Sequence, residues 1–169
     1  MNAAAFILAF VAMLLAGCET NSPTNSTHSS KREAQANKAA IQRVVDQMQA
    51  ITDEFKDSAA QLMKNPMLAG VKGDQETCIA KMNSDLDNID ISNCPADFRI
   101  AFTKYCQSLR ASQEYMKSIT GWRGVLRGFL HPTCVFTTSE DADRALKPLE
   151  NAANELDLIC AAYNVKIKM

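Results

Sequence analysis

Apolar residues recur at gaps of three and four along most of this chain, a spacing that repeats on one face of a helix and not on one face of a strand. Between about Lys31 and Lys64, Ile41, Val44 or Val45, Met48, Ile51, Phe55, Ala59 and Leu62 form one stripe. Gln42, Arg43, Asp46, Gln47, Asp53, Glu54 and Lys56 lie opposite and make a solvated face. Asn65-Pro66 should stop this helix, because the residue before a proline is pushed out of the helical region.

The same reading predicts three more helices. Gly73-Asp74 opens a short second one with Cys78, Ile79, Met82 and Leu86 on its stripe, and Asp87 to Ser92 is a turn. Cys94-Pro95 with Asp97 close behind starts the third, whose stripe runs through Phe98, Ala101 or Phe102, Tyr105, Leu109, Ser112, Met116 and Ile119. Gly121 is expected to end it. Thr138-Ser139-Glu140-Asp141 resembles a capping box for the fourth, which carries Leu146, Leu149, Ala153, Leu156, Cys160 and Tyr163. Pro148 falls inside that pattern and should either kink the helix or mark a fresh start near Lys147.

Four amphipathic helices on mostly short connections bury their stripes most simply as an antiparallel up-down-up-down four-helix bundle. The expected core includes Phe55, Phe98, Phe102, Leu109, Leu149 and Leu156. The all-α domain is placed at residues 31–169. With 19 acidic residues against 18 basic ones, the chain has no electrostatic footprint for nucleic acid and no polybasic surface for anionic lipid. A partner would be held by shape and apolar contact.

Ahead of the domain, Ala3 to Leu15 is an unbroken apolar stretch of thirteen positions, short for a membrane span and of the length of a signal-peptide core. It runs into Leu15-Ala16-Gly17-Cys18, which resembles the lipobox of bacterial lipoproteins. That resemblance implies a cleaved signal peptide over residues 1–17 and a diacylglyceryl group, with further acylation such as palmitate, on Cys18. The segment before the apolar run is only Met1-Asn2, without the Lys or Arg that such leaders usually carry. Two or three acyl chains, at about 0.8 kcal/mol per buried methylene, make a lasting membrane anchor. Glu19 follows Cys18 where an aspartate commonly marks inner-membrane retention, so the outer membrane, facing the periplasm, is the expected site. Residues 18–30, rich in Asn, Ser and Thr, cannot bury apolar surface and are expected to be a flexible tether.

Leu86-Asp87-Asn88-Ile89-Asp90, Cys94-Pro95-Ala96-Asp97-Phe98-Arg99 and Ala161-Ala162-Tyr163-Asn164-Val165 resemble a group of small exported bacterial proteins of unknown function. Those motifs are helix starts and ends, so the resemblance implies a fold and no chemistry. In size, anchor and expected bundle the chain is also similar to the helical pilotins, outer-membrane lipoproteins that hold a partner peptide in a groove between helices.

Candidate chemistry is sparse. His131-Pro132-Thr133-Cys134 offers two metal ligands where a site needs more, so no metal is expected. Gly121, Gly124 and Gly128 lack the preceding strand and the following Gly-Lys-Ser or Gly-Lys-Thr of a phosphate loop. Only His28 and His131 could serve as an imidazole base, so neither an enzyme nor a bound cofactor is expected. Two function classes remain: a non-enzymatic interaction or envelope-assembly lipoprotein, and a carrier or sensor for an apolar small molecule held between helices. An apolar cavity in the bundle centre would favour the second, and a filled core with an exposed apolar groove the first.

Two further expectations concern named residues. Export to an oxidising compartment favours disulfides, with Cys78 to Cys134 and Cys94 to Cys160 as the expected pairs and Cys106 to Cys160 as the rival to the second. The segment from Trp122 to Leu130, in what reads as a long connection between the third and fourth helices, is expected either to cap the end of the bundle or, where a protein partner binds, to meet it through Trp122, Arg123, Leu126, Arg127 and Phe129.

Overall fold

The computed structural model describes residues 28–64, 72–130 and 139–167. These form four helices and, among the described residues, no strand: α1 (His28–Lys64), α2 (Lys72–Asp87), α3 (Ala96–Leu130) and α4 (Ser139–Ala162). The principal packed pairs are α3–α4, α1–α2, α2–α3 and α1–α3. Helix α3 therefore touches each of the other three, and α1 and α4 are not a principal pair. The expected signal peptide, Cys18 and Cys134 lie outside the described residues. Helix α1 begins at His28, so residues 28–30, expected to belong to the tether, form its first turn.

The stripe of α1 packs as its spacing demands. Ile41, Val44, Val45, Met48, Phe55 and Ala59 are buried, with Ile51 and Leu62 packed partly against them. From the other helices Ile79, Met82, Leu86, Phe98, Phe102, Leu109 and Leu156 complete one continuous apolar cluster. Phe98 and Phe102, one turn apart on α3, stack with ring centroids 6.1 Å apart. Leu149 is half-buried at the edge of this core.

Helix ends are settled by local hydrogen bonds. After α2 the chain turns through Ile89–Cys94, where the Ser92 N–H donates to Asp90 Oδ1 (2.9 Å) and the Cys94 N–H to the Ile91 carbonyl (3.0 Å). The Pro95 carbonyl then accepts the first helical bond of α3, from the Arg99 N–H at 3.0 Å. Helix α4 stops in a Schellman motif. Val165 N–H reaches back to the Cys160 carbonyl and Asn164 N–H to the Ala161 carbonyl, each at 2.9 Å, with Asn164 in the left-handed region at φ 55°. Val165 is buried behind that cap.

The two expected breakers, Gly121 and Pro148, both fall within continuing helices. Gly121 does leave the helical region, at φ 68° and ψ 179°, but the chain resumes helix at once and runs on to Leu130. A side chain would be strained at that φ, and glycine removes the strain. The result is a kink within α3, so Trp122 to Leu130 is a helical segment and not part of a long connection. Buried Val125 anchors it to the core. Pro148 lies inside α4, which continues through it, so of the two alternatives the fresh start near Lys147 is the one overturned. The proline sits on an exposed face, where the Arg144 carbonyl that loses its helical partner lies on a solvated turn.

Candidate functional site

A groove of about 390 Å³ lies between α1 and α2. Helical periodicity builds both walls. Ile51, Phe55, Ser58 and Leu62 share one face of α1, and Cys78, Lys81, Met82 and Asp85 share one face of α2. Phe55 and Met82 make an apolar floor continuous with the core, and Glu54, Gln61, Lys81 and Asp85 make a polar rim.

Lys81 ties the rim together. Its Nζ lies 3.0 Å from Glu54 Oε1 across the groove and 2.7 Å from Asp85 Oδ2 on its own helix. Those two hydrogen bonds, Asp85 first and Glu54 second, push the ammonium pKa up, so Lys81 stays charged and is a poor nucleophile. Cys78 beside it is half-buried. Burial pushes its thiol pKa up against the downward pull of Lys81, so the reactive thiolate is disfavoured. The groove thus combines an apolar floor with one cation held between two carboxylates.

A second polar feature lies in the core. Asn83 Nδ2 donates to Gln113 Oε1 at 2.8 Å between α2 and α3. Asn83 Oδ1, Ser112 Oγ and Gln113 Nε2 are buried without a partner. Ser112 belongs to the α3 stripe read from the sequence, whereas Gln113 does not. Its burial follows from α3 packing against three helices, which widens the buried face beyond a single stripe.

Other contacts link distant parts of the chain. Tyr163 Oη donates to the Asp97 carboxylate at 3.2 Å, joining the end of α4 to the start of α3. Ion pairs Lys104–Glu155 and Arg110–Asp87 join α3 to α4 and to α2. The carboxylate of Asp97 could be read from the sequence as a helix-start acid, but its tyrosine partner could not.

Of the residues expected to meet a partner, Trp122, Arg123, Leu126, Arg127 and Phe129 have their backbone in α3 beyond the kink. Their side chains lie outside the described residues. The groove residues are a different set, and sequence reading missed them because each looks like an ordinary core or rim position on its own helix. Among the described residues no group of three or more His, Cys, Asp or Glu side chains could hold a metal ion, and no helix is long and apolar enough to cross a membrane.

Cys78, Cys94, Cys106 and Cys160 are free thiols in this structure, with Cys94, Cys106 and Cys160 buried. The expected Cys94–Cys160 bridge is therefore open here, and the expected partner of Cys78, Cys134, lies outside the described residues. Compared with protein-family models, curated proteins and solved structures, the chain matches none of them, so any function must be argued from these residues.

Proposed function

We propose that this chain is a lipoprotein anchored through Cys18 to the bacterial cell envelope, in the outer membrane facing the periplasm, and that its helical domain is a non-enzymatic interaction or envelope-assembly module. The anchor rests on the Leu15-Ala16-Gly17-Cys18 resemblance. The interaction role rests on one structural observation: large side chains such as Phe98, Ile41, Ile79 and Leu156 are fully buried in the centre of the domain, while a groove with an apolar floor lies at the surface between α1 and α2. A carrier of an apolar small molecule needs the opposite arrangement, a void enclosed by the helices.

The up-down-up-down order belongs to the same reading. Arg43 reaches the Asp90 carbonyl and Glu54 meets Lys81; Asn83 meets Gln113 and Asp87 meets Arg110; Asp97 meets Tyr163 and Lys104 meets Glu155. In each neighbouring pair the later residue of one helix faces the earlier residue of the next, which supports antiparallel neighbours.

Three measurements test the proposal. Membrane fractionation with intact mass should find a chain beginning at Cys18 with added acyl mass, and Cys18→Ala should keep the leader attached. A mature form beginning elsewhere without acyl mass would remove the anchor. Native mass spectrometry should find no apolar small molecule retained by the folded domain, and a stoichiometric one would favour the carrier reading. Trp122→Ala should leave the melting temperature unchanged while abolishing co-purification of the partner captured by wild type. A lowered melting temperature with capture intact would assign Trp122 to the core.

A further inference from the structure

Cys94 and Cys160 come from turns that the fold sets side by side. Cys94 closes the α2–α3 turn, with its N–H bonded to the Ile91 carbonyl, immediately before α3 starts. Cys160 lies in the last turn of α4, where its carbonyl accepts from the N–H groups of Tyr163 (3.1 Å) and Val165 (2.9 Å). Asp97, three residues beyond Cys94, accepts the hydrogen bond of Tyr163, three residues beyond Cys160. Both sulfur-bearing side chains belong to the same buried apolar cluster.

Their electrostatic neighbours separate this pair from the rival. The thiol of Cys160 is pushed up to about 12, first by burial, then by Asp157 and by the charge that Cys94 would carry when ionised. The Tyr163–Asp97 hydrogen bond, three residues beyond each cysteine, holds the two chain segments together at this end of the domain. The thiol of Cys106, pushed up to about 11 by burial, has Arg110 and Asp87 as its charged neighbours and so faces the α2 side of α3.

We propose that Cys94 and Cys160 are a disulfide-forming pair whose oxidation staples the last turn of α4 to the turn that precedes α3. The oxidant is a donor disulfide, either glutathione disulfide or a disulfide-carrying oxidoreductase. The Cys94 thiolate attacks one donor sulfur, forming a mixed disulfide and releasing the other sulfur as a thiol. The Cys160 thiolate then attacks the Cys94 sulfur and displaces the second donor thiol. The pair gives up two electrons and two protons, and the donor disulfide becomes two thiols. Burial makes both folded thiols reluctant to ionise, so the bond forms while the chain is folding and is shielded from exchange afterwards.

Occurrence of the bond in the cell rests on the export proposed above, but its formation does not. The test therefore uses the purified full-length chain, reduced, denatured and refolded with glutathione disulfide, then alkylated and mapped by peptide mass without reductant. The expected product is a Cys94 peptide linked to a Cys160 peptide, in wild type and equally in Cys106→Ala. An alkylated Cys94 or Cys160 in the refolded oxidised chain, or Cys160 linked to Cys106, overturns the pairing. Oxidant added to the already folded, reduced protein should close the pair more slowly than refolding does, and equal rates would overturn the shielding. A chain that closes the pair in vitro but is never exported would sink the localisation alone. An exported chain with both thiols free would sink the pair alone.

Discussion

Where the α2–α3 turn meets the last turn of α4, Cys94, Phe98, Cys160 and Val165 are buried behind an exposed outer face that includes Arg99 and Ile100, whereas the groove between α1 and α2 leaves half-buried apolar side chains under a charged rim. The buried region gathers Ile89, Cys94, Phe98, Cys160 and Val165 into one buried cluster and ends both helices in internal hydrogen bonds. The groove has Phe55 and Met82 at its floor, but Ile51, Leu62 and Cys78 are only partly covered. The contrast places fully buried side chains in one region and partly covered ones in the other, and it is at the partly covered rim that the proposed partner would be met.

The largest effect that could break this contrast is a cavity. Phe98 is 0% exposed, and Phe98→Ala should destabilise by about 3–5 kcal/mol, because a filled site loses both transfer energy and packing. Ile51→Ala at the groove should cost less than about 2 kcal/mol. Equal losses in urea denaturation would show that the groove is as structural as the buried end.

Closure of Cys94–Cys160 comes next. Holding residues that far apart in the chain should add up to about 4 kcal/mol by restricting the unfolded state. Comparing denaturation of the oxidised and reduced proteins, in a Cys106→Ala background, reads that difference directly. The alkaline limb sharpens it. A thiol whose folded pKa is raised to about 12 binds its proton more tightly in the folded state than in the unfolded state, where Cys ionises near 9. The stability it confers is whole below pH 9 and is lost as the pH rises from there towards 12. Tyr105, pushed up by burial to about 12, contributes a similar loss from pH 10 upwards in both redox forms. The steeper alkaline loss of the reduced protein over the oxidised one therefore belongs to Cys94 and Cys160, and parallel curves would leave the buried end without its staple.

The buried Asn83–Gln113 contact, between the two regions, should show an intermediate effect. Gln113→Ala removes an acceptor from a buried amide and should cost about 1–3 kcal/mol. Replacing both amides by leucine should recover part of that loss, because neither position then buries an amide atom without a partner. A double variant worse than the single one, by thermal denaturation, would mean that the amides shape the α2–α3 packing rather than merely occupying it.

What could be read in advance follows from the range of the interactions. The stripe of α1 is a local property of spacing, and its expected positions from Ile41 to Leu62 are all packed against the core. Cys94-Pro95 marks a helix start that depends only on neighbouring residues, and α3 begins at Ala96. Gln113 looks solvated in sequence, since its burial depends on Asn83 arriving from another helix. Gly121 marks a break, but whether helix resumes after it depends on where Val125 can be buried. The groove was illegible for the same reason: its two walls are ordinary faces of separate helices, and only their juxtaposition makes a concavity.

The smallest effect tests the open side alone. Lys81 is exposed and bonded to two exposed or half-exposed carboxylates, so Lys81→Met should leave the unfolding midpoint close to that of wild type. Its consequence should appear at Cys78, whose thiol is raised by burial and lowered by the Lys81 charge. Removing that charge raises the thiol further, reduces the thiolate fraction at neutral pH and slows alkylation of Cys78 in the reduced protein. In wild type, Cys78 should still react ahead of Cys106 and Cys160, which are buried in the core and pushed up to about 11 and about 12. If Cys160 reacts as fast as Cys78, the buried region opens as readily as the groove and the contrast between them fails. If Lys81→Met leaves the Cys78 rate unchanged, the Lys81 charge is not felt at the groove floor. A partner would then meet an apolar strip there, beyond reach of the rim charge.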